Sequence, residues 1–229
     1  RHYEQWALNR VDAIAAMTPE DEQQMRDLGA DVPMIVAPVG VNIPDYPVYP
    51  NPDPKVVFHI GAMDWMPNQE GVHWFLTEVW PKVLTKVPDA KLKLAGKKMP
   101  DYIKAYAGSS VEVHDFVQDG KGFIGNGGIM IVPLFSGSGM RVKIVEGMAM
   151  GKAIVTTAIG AEGIAGKDGQ EFMIANTNNE FAEAVIRLLQ NPAKQQEIGQ
   201  NARAYSEKVF DNTAIGKQLI GFYESLEKE

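Results

Sequence analysis

The chain has 229 residues, with 22 Lys and Arg against 29 Asp and Glu, a formal charge of −7 and no cysteine. The acidic balance argues against nonspecific nucleic-acid binding, which needs a basic footprint. The lack of cysteine removes disulfides and thiolate chemistry and suits a reducing, cytoplasmic compartment. No apolar run reaches the roughly 18 residues that a membrane span needs, so a membrane role of a longer protein is expected to be peripheral, at the inner face.

The chain opens on Arg1 inside an amphipathic helical pattern over 1–9, without a signal peptide, as expected for a fragment of a longer protein. A strand over 11–17 follows, then a helix started by Thr18-Pro19-Glu20-Asp21: a capping hydroxyl, a proline whose missing N–H costs nothing, and acids at the positive dipole end. A second strand spans 34–37. Residues 42–54 carry five prolines, so they are expected to be extended and outside any regular element.

Beyond residue 54 the pattern is regular. Strands are expected over 56–60, 91–95, 111–114, 128–132, 153–157 and 171–175. Helices are expected over 69–86, 99–107, 117–124 and 140–150, with a tail of helices over 178–190, 193–209 and 213–227. Alternation of strands and helices implies βαβ units and an α/β fold, a doubly wound, Rossmann-like parallel sheet of about six strands. Such sheets bind ligands beyond the carboxyl ends of their strands.

The most informative stretch is 133–157. Ser136-Gly137-Ser138-Gly139 joins the fourth strand of this sheet to a helix, where bare backbone N–H groups and the helix dipole favour an anion. Met140 and Arg141 open that helix. Lys143 and Glu146 are three apart and share a helix face. The lysine can neutralise a diphosphate, and the carboxylate can accept hydrogen bonds from ribose hydroxyls. Arg141 falls on the other side of an ideal helix and must curl back to reach the same anion. The loop fits neither the dinucleotide fingerprint, which needs Gly where Val142 stands, nor the P-loop, which needs Gly where Glu146 stands.

After the first strand of the same sheet, Gly61 permits close approach of a ligand. In the following Ala62-Met63-Asp64-Trp65-Met66-Pro67-Asn68, Asp64 reads as a turn former, Trp65 as a cover over the core edge and Asn68 as a helix cap. His2, His59, His73 and His114 are scattered, with no metal-ligand spacing, and His73 reads as structural. No metal and no cofactor are expected.

Residues 55–205 resemble the C-terminal, donor-binding domain of GT-B glycosyltransferases, in particular the retaining group 1 (family 4) type. The resemblance rests on segments in a fixed order: Gly61-Ala62-Met63-Asp64-Trp65 with Pro67-Asn68, Leu94-Ala95-Gly96, Asp115-Phe116-Val117, Pro133-Leu134 with Gly137-Ser138-Gly139, and the run 143–157, then Gly160-Ala161-Glu162-Gly163. It implies that 1–41 is the tail end of an N-terminal, acceptor-side domain and 42–54 the interdomain linker. Residues 55–210 would then be the nucleotide-sugar-binding domain, and 211–229 a helix crossing back to an absent N-terminal domain.

The implied partners are a nucleoside diphosphate sugar and a saccharide or lipid-linked acceptor. The implied donor-side catalytic residues are Lys143 and Glu146. Gly61, Phe116, Val117, Gly137, Ser138, Gly139, Met140 and Arg141 would bind the substrate, with Phe116 and Val117 beside the base. The family's pair of glutamates is broken here: the second matches Glu146, and the first falls on Ser138. Ala62 stands where many members carry an arginine, so Lys143, with Arg141, is expected to supply the missing charge. Two other readings stay open: a nucleotide-sugar 2-epimerase and a noncatalytic nucleotide-sugar-binding module.

Overall fold

The computed structural model describes residues 2–227; Arg1 of the expected first helix lies outside them. The chain begins with α1 (His2–Leu8), β1 (Ile14–Ala16), α2 (Pro19–Asp27) and β2 (Met34–Val36), and β1 pairs with β2 in parallel. The start of α2 follows the sequence: Thr18 Oγ1 accepts from the Asp21 N–H at 3.0 Å, with Pro19 in the first turn. β1 is shorter than the expected 11–17. The Asn9 side chain bonds the Gly29 carbonyl and the Asp31 N–H, which ties the preceding residues into a turn.

Six strands make the main sheet: β3 (Asp53–Ile60), β4 (Lys91–Ala95), β5 (Val111–His114), β6 (Gly127–Val132), β7 (Ala153–Thr156) and β8 (Met173–Ile174). Their order is β5-β4-β3-β6-β7-β8 and all pairs are parallel. The remaining helices are α3 (Met66–Trp74), α4 (Trp80–Lys86), α5 (Asp101–Lys104), α6 (Gly120–Asn126), α7 (Val142–Ala149), α8 (Asn178–Gln190), α9 (Pro192–Val209) and α10 (Asn212–Leu226).

The central strands are apolar on both faces because both are covered. Val57, Ile129, Ile131 and Val155 pack with Val72, Val83, Phe181 and Val185 of α3, α4 and α8. Their neighbours Phe58, Met130, Val132 and Ile154 point the other way, onto Ile144, Val145 and Met148 of α7 and Ala202 of α9. The period-two alternation along β6 therefore feeds two separate cores, one on each side of the sheet.

Four further expectations are corrected. The helix expected over 69–86 begins at Met66 and is interrupted by a π-turn at Phe75–Val79 between α3 and α4. Pro81 lacks an N–H and crowds the carbonyl four residues back, so a regular α-helix cannot run through it. The proline-rich segment is not wholly irregular: Ile43–Asp45 forms a 3-10 turn, and β3 starts at Asp53 and takes in Pro54. Pro54 is tolerated because it lies in the first turn of pairing, where the register with β6 shifts. The expected 99–107 helix shrinks to Asp101–Lys104, and the expected 171–175 strand to Met173–Ile174. The segment before β3 is tied down at Val41, whose N–H bonds the Phe210 carbonyl at 2.8 Å and whose carbonyl accepts from Asn212 at 3.1 Å, at the start of α10.

The chain builds β3, β4 and β5 outward in one direction and then returns to place β6 on the other side of β3. This reversal opens a crevice between the carboxyl ends of β3 and β6, the usual ligand position in an open α/β sheet. Gly61 closes one strand, and the loop through Gly137 and Gly139 closes the other.

Candidate functional site

At the β3 end of the crevice three nitrogens surround the Gly61 α-carbon. A Cβ at that position would lie 2.5 Å from Lys143 Nζ, 2.9 Å from Asn68 Nδ2 and 3.1 Å from His59 Nε2. Glycine is therefore required for the lysine to reach this point. Asn68 is buried; it donates to the Ala62 carbonyl at 2.8 Å and accepts from Lys143 Nζ at 2.7 Å. It is thus a brace for the lysine, not the helix cap the sequence indicated; Trp65 occupies the cap position of α3, without a side-chain cap bond.

His59 is only 1% exposed, and its Nδ1 faces the Ile131 carbonyl at 2.9 Å. A carbonyl can only accept, so Nδ1 carries the proton and Nε2 keeps its lone pair, without a partner. Burial, and then the nearby Lys143 charge, push the imidazole pKa down to about 3, so the ring is neutral. The Lys143 ammonium is pushed down to about 8, first by burial and then by Arg141. A lysine so placed gains most from an anionic partner, because an anion restores what desolvation removes.

The β6–α7 loop gives the second wall. Gly137 (φ 107°) and Gly139 (φ 79°) take backbone angles that a side chain disfavours, and they leave the start of α7 open. That start has no side-chain cap. Arg141, the residue before the helix, does curl back: its Nη1 donates to the Ser138 carbonyl at 2.6 Å, and its guanidinium carbon lies 5.8 Å from the Trp65 ring centre. It is only 7% exposed, and its Nε and Nη2 have no hydrogen-bond partner. Glu162 stands 3.9 Å from Nη2, beyond hydrogen-bond reach. Burial works against charge on the guanidinium, and the Glu162 carboxylate partly offsets this. Two unpaired buried donors are an uncommon cost in a folded protein and mark a place for an acceptor.

The third wall is a cleft of about 490 Å³ lined by Tyr46, Ile60, Gly61, residues 118–121, Ile124, Lys143 and Glu146. Lys143 and Glu146, expected to share a helix face, both line this cavity. Glu146 accepts a 2.9 Å hydrogen bond from the Tyr46 hydroxyl, and Lys121 Nζ lies 4.6 Å from the Tyr46 ring centre. Phe116, 73% exposed, and Val117 sit on the rim loop before α6, but neither lines this cleft; Gln118 and Asp119 do. Ser138 is exposed beside the α7 start, and Met140 packs against the core on the α7 side.

Tyr46, His59, Asn68 and Lys121 were not identified from the sequence as site residues. Trp65 spans the β3 and β6 loops by lying over Gly137 and Arg141. Asp64 pairs with Lys98 at 2.9 Å, and His73 is packed edge-on between Tyr102 and Tyr106. Among the described residues no group of three His, Asp or Glu is placed to hold a metal ion, and no helix is long and apolar enough to cross a membrane.

The family profile described as "Glycosyl transferases group 1" matches residues 54–191. A Klebsiella pneumoniae protein, described as an uncharacterized 44.6 kDa protein in the cps region, is 27% identical over 173 residues, covering 72% of this chain and 45% of that protein. An uncharacterized glycosyltransferase of Methanocaldococcus jannaschii is 29% identical over 100 residues, 42% of this chain and 28% of that protein. The matched segment thus spans less than half of each relative. Among solved structures, sucrose-phosphate synthase from Thermosynechococcus elongatus superposes with a TM-score of 0.77 at 19% identity, covering 99% of this chain and 61% of that one. Anabaena HepE, solved in complex with UDP, superposes with a TM-score of 0.77 at 18% identity, covering 98% of this chain and 69% of that one. These likenesses confirm the fold as the α/β, Rossmann-like fold found in GT-B glycosyltransferases. The profile match over residues 54–191, together with that fold, places this chain in the group 1 glycosyltransferase family.

Proposed function

We propose that this chain carries the donor-nucleotide site of a retaining glycosyltransferase, which moves a hexosyl group from a nucleoside diphosphate to a saccharide or lipid-linked acceptor. One observation carries the reading: the Lys143 ammonium lines the cleft beside Gly61, and buried Arg141, with two unpaired nitrogens, stands at the uncapped start of α7. That combination suits two linked phosphates. The leaving diphosphate gains negative charge as the sugar departs, and fixed donors in a partly dry crevice stabilise that charge.

In this reading Glu146 takes the ribose hydroxyls, and Ser138 and Gly139 lie at the sugar side. The base enters the cleft beside residues 118–120, with the Phe116-Val117 backbone at its rim. The substrate brings the only group needed, and no cofactor is invoked. Support for the ligand class comes from HepE, whose structures contain UDP and UDP-glucose. Acceptor contacts and the remaining catalytic groups are assigned to an N-terminal domain across the cleft.

Calorimetric titration of the chain with UDP, GDP and ADP tests the proposal. One of the three is expected to bind, and Glu146→Gln is expected to weaken that binding about tenfold through loss of charge-assisted hydrogen bonds. No binding of any of the three would remove the reading. The chain by itself is expected to transfer no sugar; measurable transfer would overturn the assignment of the acceptor side to another domain.

A further inference from the structure

Tyr46 belongs to the proline-rich segment that precedes the main sheet, yet its carbonyl, ring and hydroxyl are each held by residues of the main-sheet body. Its backbone carbonyl accepts from Arg203 Nη1 at 2.7 Å, and the same Arg203 nitrogen bonds the carbonyl of Ala149, at the end of α7. Its ring lies under the Lys121 ammonium of α6. Its hydroxyl donates to Oε1 of Glu146, and both residues face the same cleft as Gly61 and Lys143. These contacts reach across 100 and 157 positions of sequence and place the phenol beside the carboxylate.

We propose that Tyr46 is a sugar-recognition residue: with Glu146 it reads the ribose diol of the donor nucleotide. The hydrogen-bond inventory gives the reason. The phenol spends its single O–H on Oε1 of Glu146, so its oxygen can only accept. Oε2 of Glu146 also accepts. The pair therefore presents two acceptors, fixed side by side, to two vicinal hydroxyls that both donate. A carboxylate alone on a helix can turn about its side-chain torsions; one anchored by Tyr46 is preorganised. Burial and the Glu146 charge push the Tyr46 pKa up to about 12, so the hydroxyl keeps its proton throughout the working range. The inference rests on the nucleotide reading above and assigns the specificity-determining contact within it.

The test is titration of the full chain and of Tyr46→Phe with UDP, GDP and ADP and with their 2′-deoxy counterparts. Phenylalanine keeps the ring beneath Lys121 and removes only the hydroxyl. The unaltered chain is expected to prefer the ribonucleotide over its 2′-deoxy form. Tyr46→Phe is expected to weaken ribonucleotide binding roughly three- to tenfold, the effect of one lost hydrogen bond. It should weaken 2′-deoxy binding less, so that the preference shrinks. A structural role alone would weaken both forms equally, and that result overturns the inference. So does an unchanged preference, or tighter ribonucleotide binding, which would show that Tyr46 competes for Glu146. Failure of the unaltered chain to bind any of the six nucleotides would instead remove the nucleotide reading itself.

Discussion

Lys143→Ala is expected to weaken nucleoside diphosphate binding at least about tenfold near pH 7.5, because it removes the ammonium that reaches the Gly61 α-carbon. The stronger form of this prediction is its pH dependence. An ordinary lysine titrates near 10.5, and burial, then Arg141, bring Lys143 down to about 8. A bound diphosphate favours the charged form and raises the pKa again. Below about pH 8 the free site is already protonated, so binding does not depend on this group. Above it the site must take up a proton to bind, and affinity falls as pH rises.

Between about pH 7.5 and 9.5 the loss should be on the order of tenfold or more. Lys143→Arg keeps its charge across this range and should flatten the profile, even if the longer side chain binds less well. Lys143→Ala should be both weak and flat. Calorimetry across the pH series checks all three proteins. An unaltered chain that binds equally at both ends of the range, or an alanine variant with an unchanged dissociation constant, would remove Lys143 from the phosphate site.

The second large effect concerns the scaffold. Gly71 in α3 lies against the end of β6, and a Cβ there would stand 1.6 Å from the Pro133 carbonyl oxygen. That neighbour is backbone, and it begins the loop leading to Gly137 and Gly139, so it cannot yield without moving the crevice wall. Alanine is a better helix former than glycine by about 1 kcal/mol, but the overpacking cost, about 3 kcal/mol or more, wins. Gly71→Ala should therefore lower the unfolding free energy by about 2 kcal/mol or more, read as a lower denaturant midpoint at unchanged slope.

Gly216→Ala in α10 is the matched control. A Cβ there meets nothing within 4 Å, so the helix preference acts alone and should raise stability by about 0.5–1 kcal/mol. Opposite signs for one chemical change separate crowding from propensity. Equal effects would mean that α3 does not pack on Pro133 as described.

The parts of this protein visible in the sequence are those with local signatures. The apolar runs over 56–60 and 128–132 read as strands, and the pair Lys143 and Glu146 had to share a helix face. Both follow from short-range geometry. The π-turn within the long helix had a local mark too, since Pro81 stands where a continuous helix needs an N–H.

The rest of the site was hidden because its contacts are long-range. Lys143 meets Asn68 across 75 positions, and Glu146 meets Tyr46 across 100. Asn68 after a proline looks like a cap, and Tyr46 among prolines looks like linker. His59 looks like any core histidine until the sheet order puts it beside Ile131 and under Lys143. Arg141 was visible as a charge, but only the fold shows that two of its nitrogens are buried without partners.

The central claim is that a diphosphate sits between Gly61 and the start of α7. Amide chemical-shift mapping by NMR, with the nucleotide diphosphate that binds in the calorimetric panel, tests it most directly. The largest shifts are expected on Gly61, Ala62 and residues 137–143, with a second group at Tyr46 and 118–121. The opposite end of the sheet offers a larger cavity, about 630 Å³, lined by Val48, Gly128, Gln195, Gln200 and Arg203 among others. Shifts concentrated there, with residues 137–143 unmoved, would contradict the account.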